Sequence, residues 1–164
     1  RARMALCLSR TIVELREVSL RNKPQAMLKI SPKATVPVLL LDDGSIIDES
    51  IEIIDWCIEN KKDMFKDTLN KDQELFAEDV IKLFDEKFKF HLDRYKYAAR
   101  YENVDAASHR DACLDILRTL DKNISNTKWF FSNNVNKIDI SVLPFIRQFR
   151  IADPLWSDAN QGIS

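Results

Sequence analysis

The sequence predicts an α/β layer followed by an all-helical half, and three observations carry that expectation. Short apolar runs alternate with helical stretches as far as Asn60, a charged and aperiodic stretch follows, and beyond it apolar residues recur only at helical spacing. With 164 residues, 45% of them hydrophobic, the chain can bury one large core or two small ones, which makes disorder a poor description. The expected organisation is an α/β domain over 1–60, a linker over 61–70 and a helical domain over 71–164.

Arg1 to Ser9 (RARMALCLS) reads as the body of a helix with no capping residue in front of it, so residues including a first strand are expected upstream. Thr11 to Val18 alternates apolar Val13 and Leu15 with charged Glu14 and Arg16, the period-two pattern of a strand. After a polar turn, Gln25 to Ile30 forms a short amphipathic helix. Val38 to Leu41 is continuously apolar and predicts a strand buried on both faces. Asp42-Asp43-Gly44-Ser45 then turns the chain into Ile46-Ile47 as its antiparallel neighbour. From Ser50, a helix with Ile51, Ile53, Ile54, Cys57 and Ile58 on its apolar face runs to Asn60.

In the second half, Asn70 and Gln73 form a capping box ahead of a long helical pattern through Leu75, Val80, Leu83, Phe84, Phe88 and Leu92. Ala106 to Ile124 follows, with Cys113, Leu114, Leu117 and Leu120 inward. The last helix starts at Asn136, where Asp139 can close a second capping box, and carries Val142, Leu143, Ile146 and Phe149 on its buried side. Pro144 removes a backbone donor in its middle and is expected to kink it.

Composition narrows the function. Lys and Arg number 25 against 26 Asp and Glu, a net charge of −1, which argues against a nucleic-acid binder that depends on a basic surface. Apolar runs such as Val38 to Leu41 fall far short of the ~18 to 20 residues that span a bilayer, and no secretory signal is visible, so neither membrane nor export is expected. Cys7, Cys57 and Cys113 lack metal-ligand spacing and lie in apolar helical patterns; no metal is expected, the thiols read as core residues, and a reducing cytoplasm is the natural compartment. The two glycines, Gly44 and Gly162, exclude Gly-rich phosphate loops.

The chemically informative stretch is Ser31 to Ser50 (SPKATVPVLLLDDGSIIDES). A cis Val36-Pro37 bond at the entry to a strand would turn the Val36 main chain toward a peptide-like ligand. Asp48-Glu49-Ser50 opens a helix whose free N–H groups favour a carboxylate, while Glu49 can hold an ammonium beside it. Ammonium and carboxylate on one carbon describe the end of an α-amino acid. Taken alone, Glu49 and Ser50 also fit ordinary helix capping.

Thr35 to Leu39 (TVPVL) with Asp48-Glu49-Ser50-Ile51 resembles the glutathione-binding signature of the cytosolic glutathione S-transferases. Arg1 to Leu6 (RARMAL), Leu20 to Pro24 (LRNKP), Phe90 to Tyr97 (FHLDRYKY) and Lys137 to Phe149 (KIDISVLPFIRQF) are similar to the bacterial omega-like, Cys-Pro-Tyr-type subgroup. The resemblance implies a thioredoxin-like N-terminal domain plus an all-α C-terminal domain, with glutathione as cosubstrate in the cleft between them. It implies that Val36 pairs through its backbone with the cysteinyl part, that Pro37 is the cis residue, that Glu49 and Ser50 hold the γ-glutamyl end, and that Lys23 meets the tripeptide's negative end. For Lys23 a solvated turn lysine is the competing reading. The catalytic residue, a cysteine in that subgroup, is expected upstream of Arg1. Ala34 and Ser132 stand where many relatives have glycine.

The implied activity is transfer of glutathione to a small electrophile, or reduction of mixed disulfides, by a homodimer. The alternative is a non-catalytic interaction scaffold on the same fold, as in the stringent starvation protein A group. The basic and aromatic residues from His91 to Tyr101 read as a helix end with snorkelling side chains, and His109 as solvent-facing. Trp56, Trp129 and Trp156 read as core or interface anchors.

Overall fold

The structure is a computed structural model that describes residues 1–65, 69–122 and 127–160; of Met64 only the backbone is described. The chain divides into two compact units, Arg1–Lys66 and Asp67–Ser164.

In the first unit α1 (Ala2–Leu8) buries Ala2 and Ala5 and packs against α3 (Ser50–Asn60), which buries Ile53, Ile54 and Cys57. The N–H groups of Arg10 and Thr11 return to the carbonyls of Cys7 and Leu6 at 3.1 and 3.0 Å, and Arg10 takes a left-handed φ of 52°, so α1 ends in a Schellman motif. The buried stripe Ala2, Ala5, Ser9 leaves Cys7 on the other side. Cys7 is exposed, correcting the expectation that all three thiols are buried.

Thr11 to Val18 is not a strand. Among the described residues no segment pairs with it, and Ile12 is 98% and Leu15 58% exposed. Alternation sets which side chains share a face, but only a neighbouring ladder makes a strand. α2 (Gln25–Ile30) then buries Met27. β1 (Leu39–Leu40) and β2 (Ile46–Ile47) form the antiparallel hairpin the turn sequence requires, with Leu39 opposite Ile47 and Leu40 opposite Ile46. Gly44 supplies the positive φ of 85°, and the Asp43 side chain accepts from the Ser45 amide at 2.9 Å. β1 is shorter than its apolar run and is not buried on both faces: Leu40 is 54% exposed because nothing in the two-stranded sheet covers it.

The second unit begins at the Asn70 capping box, in which Gln73 N–H donates to Asn70 Oδ1 and Asn70 N–H to Gln73 Oε1, both at 2.9 Å. α4 (Lys71–Leu83) buries Ala77, Val80 and Ile81. Leu75, five residues before Val80 and therefore about 140° around the helix, points outward and is exposed. A single π-helical turn, Phe84–Phe88, joins α4 to α5 (Lys89–Lys96) and stacks the fully buried rings of Phe84 and Phe88 at 4.5 Å. α6 (Ala106–Asp121) buries the four residues expected of it; Ile124, expected at its end, lies outside the described residues.

α7 (Lys137–Ala152) runs through Pro144, and α8 (Pro154–Ala159) follows. The carboxylate of Asp139, itself buried, accepts from the Asn136 amide at 2.9 Å and the Phe130 amide at 3.1 Å, tying the start of α7 to the preceding turn. The core is Phe84, Phe88, Leu92, Cys113, Leu117, Ile138, Val142 and Phe149 with their neighbours. Phe149 lies edge-on to Trp156, which like Trp56 and Trp129 is half-buried.

His109 is half-buried rather than solvent-facing. Its Nδ1 lies 2.8 Å from Nδ1 of His91 across α5 and α6, and the two ring centroids are 5.0 Å apart. Burial, then the His109 charge, then Arg94 hold His91 below the usual histidine range. Arg94 sits 3.5 Å over the Phe90 ring, and Arg100 4.1 Å over Tyr97. Among the described residues no helix is long and apolar enough to cross a membrane, and no group of three or more His, Cys, Asp or Glu could hold a metal ion.

Candidate functional site

The Ser31 to Ser50 stretch builds its site at one junction of the first unit, where the loop before β1 meets the start of α3. A turn closes the loop: the Ala34 amide donates to the Ser31 carbonyl at 3.0 Å, with Ala34 at a left-handed φ of 55°. That conformation accounts for the glycine many relatives carry there, since a Cβ is penalised in it. Val36-Pro37 is cis, as the sequence suggested. Val36 is 48% exposed, and among the described residues neither its amide nor its carbonyl has a backbone partner.

α3 opens with Glu49 as N-cap in extended conformation and Ser50 as its first residue. Neither side chain caps the helix: Glu49 makes no cap hydrogen bond, and the Ser50 hydroxyl has no partner among the described residues. The first-turn amides are therefore available to an acceptor, apart from that of Ile53, which donates to the Glu49 carbonyl at 3.1 Å. Glu52 adds a carboxylate to that turn.

Loop and helix are joined by a polar chain that the sequence reading overlooked. The fully buried Ser31 donates to Asp48 Oδ2 at 3.0 Å, and Lys33 Nζ donates at 3.0 Å to both Asp48 Oδ1 and Glu49 Oε1. Lys33 first, then Ser31, holds the Asp48 carboxyl below the usual carboxylate range; Asp48 and then Glu49 raise Lys33. Lys23, the remaining candidate, is half-buried and has no side-chain partner among the described residues, so the structure does not connect it to this junction.

Neither buried thiol is a poised nucleophile by its surroundings. Burial pushes Cys113 up to about 12 and raises Cys57 against a hydrogen bond from Ser9. Cys7 is exposed on α1.

Residues 1–64 match the family model of the glutathione S-transferase N-terminal domain. A probable glutathione S-transferase from Nicotiana tabacum, parA, is 26% identical over 153 residues, covering 91% of this chain and 67% of its own length. The crystal structure of glutathione transferase Omega 3C from Trametes versicolor superposes with a TM-score of 0.75 at 18% identity, over 99% of this chain and 71% of that one. A rice glutathione S-transferase solved in complex with glutathione gives 0.72 at 22% identity, over 92% and 71%. The fold is that of the glutathione S-transferases.

Proposed function

We propose that this chain is a glutathione S-transferase that holds glutathione at the loop-to-α3 junction and directs its thiol at a small electrophile or a mixed disulfide. The observation that carries the proposal is a loop with an unpartnered peptide group at Val36, tied through Lys33 to an acid-flanked, uncapped helix start at Glu49 and Ser50. An extended thiol peptide can pair with the Val36 main chain, preceding Pro37, as a short antiparallel strand. Its α-carboxylate meets the Ser50 hydroxyl and the first-turn amides, and its ammonium meets Glu49. The half-buried Lys23 is free to receive the glycyl carboxylate. These assignments rest on chemistry and resemblance; the rice structure supports glutathione as the ligand of this fold.

Conjugation forms a bond from the glutathione sulfur to an electrophilic carbon as that carbon's leaving group departs, or as its electron pair moves onto an acceptor. If a cysteine of the omega-like type serves the site, its thiolate attacks the peptide-bound sulfur of a glutathionylated substrate. The substrate thiol leaves, and a second glutathione releases the enzyme. The bacterial omega-like subgroup, a homodimer and a cytoplasmic setting complete the proposal.

Calorimetric titration of glutathione into the full-length protein tests it, with Glu49→Ala as control. Binding in the micromolar to millimolar range that falls at least tenfold in the variant is expected. Binding indifferent to Glu49→Ala would refute the residue assignment, and absence of binding would favour the scaffold alternative.

A further inference from the structure

The geometry points to Lys33 as a positioning residue for the ligand's amine: its ammonium bridges Asp48 and Glu49 and so presents the second oxygen of Glu49 to an incoming γ-glutamyl ammonium. This rests on the glutathione reading above and deepens it.

The bridge runs from a fixed end to a free one. Ser31 is fully buried and anchors Asp48, whose side chain is only 20% exposed; Asp48 in turn anchors Lys33. Glu49 is 57% exposed, and Lys33 is its one hydrogen-bonded or ion-paired side-chain partner among the described residues. A long exposed carboxylate left unrestrained pays rotamer entropy when it closes on a ligand, and the bridge removes part of that cost beforehand.

Lys33 engages Oε1 and leaves Oε2 without a partner among the described residues, so the contact orients the carboxylate without filling it. The three ionised groups sum to −1, the charge that one further ammonium neutralises. Because Lys33 lies within the Ser31–Ala34 turn that leads to Val36, the same bridge also ties the loop that carries the Val36 peptide to α3. A lysine suits the role because its ammonium has three rotatable donors, two of which are used here.

The test measures glutathione dissociation constants by ligand-observed NMR on the full-length protein, in a double-mutant cycle between Lys33→Met and Glu49→Gln, with Lys33→Arg as the conservative variant. Lys33→Met is expected to weaken glutathione about two- to fivefold, the scale of an exposed charge pair. Lys33→Arg should restore most of the loss, because a guanidinium fork can span both carboxylates. In the Glu49→Gln background Lys33→Met should change nothing further, since Lys33 acts through Glu49. Tighter or unchanged binding in Lys33→Met overturns the proposal, the first outcome making Lys33 a competitor for Glu49. An equal loss in both backgrounds overturns it in favour of a general structural or long-range charge effect. If Glu49→Gln itself leaves binding intact, the site assignment fails and this proposal with it; if Glu49→Gln weakens binding while Lys33→Met is silent, only this proposal fails.

Discussion

Replacing Asp139 with asparagine changes one atom's chemistry at a site where both carboxylate oxygens are committed. Oδ1 accepts from the Phe130 amide at 3.1 Å and Oδ2 from the Asn136 amide at 2.9 Å, and the residue is 3% exposed. Asparagine keeps one acceptor and turns an NH2 toward the other amide, so one buried N–H loses its partner. An unsatisfied buried donor costs ~1–3 kcal/mol. Relief of the buried charge offsets part of this, because burial raises the Asp139 carboxyl against the backbone amide bonds that lower it. The net expectation is about 2 kcal/mol, read in urea at pH 7 as a midpoint lowered by roughly 1 M with an unchanged slope. Asp139→Ala, which abandons both amides, should cost more than Asp139→Asn. An asparagine variant within ~0.5 kcal/mol of the parent would refute the reasoning, because both amides would then be satisfied without the carboxylate.

Ala34→Gly should stabilise the chain by ~0.5–1 kcal/mol, because it removes a Cβ from a left-handed φ; equal or lower stability in chemical denaturation would contradict this. Stability should fall between pH 7 and pH 5.5 through His91: its folded-state value is depressed, so the unfolded chain binds the extra proton as pH drops below about 6.5. In His91→Gln, urea midpoints at those two pH values should lie closer together than in the parent, and an identical drop would exclude the His91–His109 pair as the cause. With Ellman's reagent under native conditions, Cys7 should react promptly, while Cys57 and Cys113 wait for unfolding. Rapid labelling at Cys113, mapped by peptide mass, would mean that α5 and α6 open readily.

What the sequence disclosed was local. The hairpin at Asp42 to Ser45 needs one residue able to take positive φ and one short acid to cap the turn, and both are written within four positions. The boxes at Asn70 and Asn136 are likewise local, each spanning four residues. Thr11 to Val18 misled because alternation reports which side chains share a face but not whether a neighbouring strand exists. Cys7 and Leu75 misled because an apolar residue inside a helix faces the core only when it falls on the buried stripe. At the candidate site, Glu49 and Ser50 could be singled out because a recognisable run of residues marks them. Lys33 could not, since its partners lie fifteen and sixteen residues away and only the folded loop brings them to 3.0 Å.

The π-helical turn at Phe84–Phe88 works as a phase shifter in an otherwise continuous rod. A π turn holds one residue more than the α turn it replaces, so everything after it is rotated by about 100° relative to an uninterrupted helix. Downstream of that offset Leu92 lies in the core and His91 meets His109 of α6. Shortening the segment by one residue would keep every core side chain in the sequence and still re-aim α5, so here the chain's length sets the direction as firmly as its hydrophobicity does.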